Sequence, residues 1–155
     1  MGEVDHAVRT ARLLAELQAL VHVGIWEWNV RTNDVHWSDE LYQILGHAPN
    51  AFEPTFEKLI AHVHPDDVTA VKAYLTRGRR EPSPSTCEYR VVRPGGEIRT
   101  IHARLRPILN DAGQLEMIVG VAQDITETKE VQARMVFSDR MISIATTGAV
   151  ISTKT

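Results

Sequence analysis

The sequence predicts an α+β domain: a five-stranded antiparallel sheet with helices on one face, flanked by amphipathic helices at the N- and C-termini. Three observations carry this expectation. Short runs with strand-like alternation occur twice near the start and three times in the second half, with helical spacings between them. Turn-forming residues join the strands as hairpins. Strands at both ends, with the helices inserted together, favour an antiparallel sheet covered on one side.

Along residues 4–21, Val4, Val8, Ala11, Leu14, Leu17 and Val21 recur at spacings of three and four, one apolar stripe on a helix that Gly24 interrupts. "GIWEWNV" then alternates, with Trp26, Trp28 and Val30 on one face and Glu27 and Asn29 on the other. Arg31 to Asp34 supply a turn, and "VHW" a short second strand. Ser38 is placed to cap a helix with Asp39 and Glu40 in its first turn, Leu41, Ile44 and Leu45 on its buried side, and Gly46 at its end. "PTFEKLIAHV" puts Phe56, Leu59, Ile60 and Val63 on one side, and "HPDDVTAVKAYLTRG" opens on Pro65 and closes near Gly78. Three strands follow at 87–93, 97–109 and 115–124, linked by Arg93-Pro94-Gly95-Gly96 and Asn110-Asp111-Ala112-Gly113. A final helix starts at Asp124, with Glu127 three residues on in a capping-box arrangement. In it Val131, Met135, Ser138, Ile142 and Ala145 keep coiled-coil spacing, weakened by Ser138. The expected organisation is an N-terminal amphipathic helix over 1–22, a folded domain over 23–124 and a C-terminal coiled-coil helix over 125–155.

Bulk properties narrow the function. In 155 residues there is room for one domain and an extension, and 43% apolar residues suffice for a core. A formal charge of −3 gives no electrostatic case for nucleic acid, and Arg77, Arg79 and Arg80 suit a helix C-terminus or solvent. The single cysteine, Cys87, fits a reducing compartment; with no membrane-length apolar run and no signal-peptide pattern, a cytoplasmic location is expected.

"GIWEWNVRTNDVHWSDELYQILG", "HVHPDD", "EYRVVRPGGEIRTIHAR" and "MIVGVAQDITETK", in that order over about residues 23–129, resemble the PAS sensory domain of bacterial sensor histidine kinases. The resemblance implies a concave sheet face, roofed by helices, that either holds a ligand or is packed shut. It implies also that Asp124, Ile125 and Thr126 join the last strand to an output helix and relay the signal. "SDRMISIATTGAVISTK" is similar to the start of a histidine kinase's dimerising, phosphate-accepting helix, but Thr153 stands where that pattern has its histidine and Lys154 where it has an acid. A threonine hydroxyl cannot replace an imidazole there, so this chain is not expected to be an enzyme.

Trp26, Trp28, Trp37, Tyr42, Tyr89 and Val121 are the candidate lining of a ligand pocket, with core filling as the competing reading for the tryptophans. His62 and His64, two residues apart, do not share a helix face, so no metal is expected. Haem-binding relatives offer a pocket histidine from the helical side, and the helix from Asp66 to Gly78 has none. Light-sensing relatives use a helical cysteine and a glutamine on the last strand. Here Cys87 starts a strand, Ala122 takes the glutamine position, and Gln123 is out of phase, so no cofactor is expected. Glu27, Glu88 and Arg90 read as outward charges on strands.

The functional expectation is a regulatory module in which a ligand or partner surface shifts two arrangements of a helix pair, and an output domain reads the change. A homodimer through Leu14, Leu17 and Val21 on the first helix and Met135, Ile142 and Ala145 on the last is the expected assembly. Two alternatives stand beside it: the N-terminal part of a histidine kinase, or an interaction domain with a filled interior and no ligand.

Overall fold

The structure, a computed structural model, describes residues 2–81 and 83–138. Helix α1 (Gly2–Val21) leads into strand β1 (Val23–Asn29), then β2 (Val35–Trp37) and the short helix α2 (Asp39–Ile44). Helix α3 (Phe56–His62), a 3-10 turn (Pro65–Asp67) and helix α4 (Val68–Arg80) precede strands β3 (Ser85–Val92), β4 (Ile98–Leu109) and β5 (Leu115–Asp124). All five strands form one antiparallel sheet in the order β2-β1-β5-β4-β3. The first and last strands are therefore neighbours at its centre. Residues 126–138 are helical and belong, with Ile125, to a second compact unit that begins where β5 ends.

Alternation sets the two faces of the sheet. Gly24, Trp26 and Trp28 of β1 and Ile118, Gly120 and Ala122 of β5 are buried, while their neighbours in sequence are less so. Trp37, Leu41, Tyr42, Leu45, Val71, Tyr74, Tyr89, Val91 and Ile101 complete the core between this face and the helices.

Two glycines make the packing possible. Trp26 lies opposite Gly120 in the β1–β5 register, and a side chain there would collide with the indole. A Cβ on Gly24 would stand 2.7 Å from Leu41 Cα, so this glycine lets α2 approach β1. It does not end the first helix, as its position in the sequence suggests. His22, at φ 54°, makes the break, and its carbonyl accepts from Asp124 N–H at 2.9 Å.

Local details depart from the sequence reading. Ser38 stands at the N-cap of α2, but its hydroxyl accepts from Ile25 N–H (2.9 Å), fastening the helix start to β1 instead of capping it. Pro65 opens a 3-10 turn that leads into α4, not the α-helix itself, and Asp67 at its end is bonded to Arg90.

Candidate functional site

Of the residues expected to line a pocket, Trp26, Trp28, Trp37, Tyr42 and Tyr89 are brought together, and all are core. Trp37 packs on Tyr42 and Phe52 with ring centroids 5.3 and 5.6 Å apart, and the Tyr42 hydroxyl donates to Phe52 O at 2.9 Å. Val121 is not with them. It sits on the opposite face of β5, across from Ile25 and Arg104, because Ala122 takes the inward position. The Tyr74 hydroxyl is buried with no hydrogen-bond partner among the described residues.

Space lies beside this core, in an open cleft of about 950 Å³ between α3 and α4 with Trp28 at its base. Helix periodicity builds it. Val71, Tyr74 and Gly78 turn one side of α4 to the core, and Lys72, Leu75, Thr76 and Arg79 form the adjacent stripe along the cleft. Phe56 and Ile60 face them from α3. The Trp28 ring is fixed from three sides: Nε1 donates to Asn33 Oδ1 (3.0 Å), the Phe56 ring meets it edge-on at 4.7 Å, and the Arg79 guanidinium lies 5.5 Å over its face. Arg79 and Arg80 therefore border the cleft and do not merely complement a helix end.

Polar links join distant segments. Asp67 accepts from Arg90 through its backbone N–H (2.8 Å), Nε (3.0 Å) and Nη2 (2.9 Å), a two-pronged contact that holds its carboxyl down to about pKa 2. Arg90 is thus a structural partner, not a free outward charge. Asp124 Oδ2 accepts from Arg99 Nε at 2.7 Å and has Arg93 Nη2 at 3.9 Å. Arg93 also donates through Nε to Ile44 O (2.9 Å), linking the β3–β4 turn to α2.

A further link, like that of Asp67 with Arg90, was not visible in the sequence. His62 and His47 meet Nε2 to Nε2 at 2.7 Å, with His62 Nδ1 2.6 Å from Lys58 O. The Lys58 carbonyl can only accept, so His62 carries its proton on Nδ1 and His47 donates through Nε2. His62 also stacks on Phe52 with 19° between the rings and is half-buried. Burial, then the neighbouring His62, lowers the pKa of His47. His64 instead accepts from Asp66 N–H at the start of the 3-10 turn. Cys87 lies half-buried on β3 beside Ala103, its thiol pKa raised by burial.

Thr126 is buried, and Lys129 N–H donates to Ile125 O (2.9 Å), so the helix begins directly after β5. Leu14, Leu17 and Val21 are exposed, as is all of α1 except the half-buried Gln18. Met135 is also exposed, and Ile142 and Ala145 lie outside the described residues.

The profile of a family described as the PAS fold matches residues 34–122. The chain belongs to the PAS fold family. Among solved structures, the PAS domain is similar to a sensory box histidine kinase/response regulator from Burkholderia thailandensis. The TM-score is 0.63 at 26% identity, covering 81% of this chain and 94% of that one. Over 142 residues, 88% of the chain, it is 28% identical to the blue-light-activated histidine kinase of Brucella ovis, spanning 28% of that protein. Over 108 residues, 70% of the chain, it is 28% identical to the probable diguanylate cyclase DgcE of Escherichia coli K12, spanning 10% of it. The chain thus covers well under a third of these curated relatives. The PAS domain is a sensor domain of signal transduction, homologous to parts of kinase and cyclase proteins. Among the described residues no helix is long and apolar enough to cross a membrane.

Proposed function

We propose that this PAS domain is the regulatory input of a larger signalling protein. Occupancy of the domain, by a ligand or a partner surface, biases the C-terminal helix, and an output domain reads the bias. The observation that carries this reading is the end of β5. Asp124 closes a central strand, Arg99 holds its carboxylate at 2.7 Å, and the helix of residues 126–138 follows after one residue. A change in sheet packing at that point has a short covalent route to the helix. Asp124, Ile125 and Thr126 are the relay residues in this reading.

A homodimer suits the relay. The apolar row of α1, including Leu14, Leu17 and Val21, is exposed along a 20-residue helix, and Met135 is exposed on the last helix. A second copy, meeting the same rows on a two-fold axis, would bury them. The module is read as cytoplasmic and without catalytic activity of its own, since Thr153 stands at the acceptor position of the kinase-like segment. A histidine-kinase parent is favoured by one observation: likeness to the Brucella kinase extends over 142 residues, more than the PAS body alone holds.

The test is a chimaera in which this chain replaces the sensor segment of a soluble histidine kinase, joined after the Asp-Ile-Thr junction. Asp124→Ala and Thr126→Ala should each fix autophosphorylation at one level, whatever the input. Unaltered regulation in both would defeat the relay reading.

A further inference from the structure

We propose that the cleft between α3 and α4 binds a small amphipathic organic anion, a carboxylate with an aliphatic or aromatic body. The inference rests on the sensory reading above and supplies the chemical class of its ligand. Its apolar part would lie on Trp28, Phe56 and Ile60, and its charged group at Lys72, Arg79 and Arg80.

The argument begins with where room exists. The concave face is filled by large side chains: Tyr42, Ile101 and Ile118 are each 1% exposed. The cleft beside it has the size of a small-molecule site and a wall of apolar side chains. Trp28 is held in place by Asn33 and Phe56, so this wall is formed before any ligand arrives.

Charge then selects among apolar ligands. Lys72, Arg79 and Arg80 stand against the single acid Glu57, in a chain whose net charge is negative. None of the three cations makes an ion pair among the described residues, whereas Arg90 and Arg99 on the sheet and Arg93 in the β3–β4 turn are all paired. Helical spacing puts Lys72 and Arg79 on one stripe, and Arg80 follows at the same end. Three cations with a single acid beside them make this rim electropositive, and an anion is attracted there even though the three side chains are solvent-exposed. A neutral hydrocarbon would use only the wall, inorganic phosphate only the rim, and an organic cation would meet repulsion. An amphipathic anion uses both.

Calorimetric titration of the full chain with decanoate, decan-1-ol, decyltrimethylammonium and inorganic phosphate decides the matter. Decanoate should bind about tenfold more tightly than the alcohol, the ammonium more weakly than either, and phosphate not measurably. In the double variant Arg79→Gln, Arg80→Gln, decanoate should fall to the affinity of the alcohol while alcohol binding persists, which also shows that the cleft remains folded. Glu57→Gln should tighten decanoate. Equal affinities for acid and alcohol, a preference that survives in the double variant, or no decanoate binding would each overturn the proposal. Such a failure would leave the relay intact if Asp124→Ala and Thr126→Ala still fix the chimaera's output. Decanoate binding with regulation untouched by those variants would defeat the relay and keep the site.

Discussion

Arg99 donates through Nε to Asp124 Oδ2 at 2.7 Å, joining the start of β4 to the last residue of β5, and the Asp124 side chain is only 4% exposed. A carboxylate so buried needs its cation. Arg99→Gln should therefore destabilise the domain by about 2 kcal/mol, below the range for an uncompensated buried charge because Arg93 stands 3.9 Å away. Urea denaturation measures it, as a lower midpoint at unchanged slope.

The Asp67–Arg90 contact sets an acid limit. The Arg90 hydrogen bonds keep the folded carboxyl at about pKa 2, whereas an unfolded aspartate titrates near about 3.9. Between these values the unfolded chain binds more protons, so stability from this pair is full above about pH 4 and is lost as pH falls through 2. In Asp67→Asn, stability should change less between pH 4 and 2 than in the parent. Thermal melts across that window check the prediction, and parallel profiles would refute it.

Gly120 is a packing requirement of Trp26. Gly120→Ala puts a methyl group into the space of the indole, so Trp26 or the β1–β5 pairing must shift. A loss of about 1–3 kcal/mol is expected, with a change in tryptophan fluorescence in the folded state. Gly113→Ala, at a turn with open space around it but φ 77°, serves as a control that strains backbone without touching an indole.

The exposed row on α1 predicts self-association. Sedimentation of the chain at micromolar concentration should show a dimer, and Leu17→Glu should move it towards monomer while circular dichroism stays that of a folded domain. A parent chain that already sediments as a monomer would remove the dimer from the proposed mechanism.

The sheet was legible in the sequence because its determinants are local. A two-residue period puts Trp26 and Trp28 on one face within β1, and glycine-containing turns fix the β3–β4 and β4–β5 hairpins. The same period held the correct position of Val121: once Ala122 faces inward, its neighbour must face outward. The sequence left pocket lining and core filling both open for the aromatics, and in the structure Trp26, Trp28, Trp37, Tyr42 and Tyr89 are buried in the core. Only the tertiary structure could pair Asp67 with Arg90, bring His47 to His62, or lay Arg79 over Trp28. These partners lie 15 to 51 residues apart. Their meeting depends on how α3 and α4 dock on the sheet, which no periodicity within a segment specifies. The strands came from local alternation, and the cleft came from the docking of the helices.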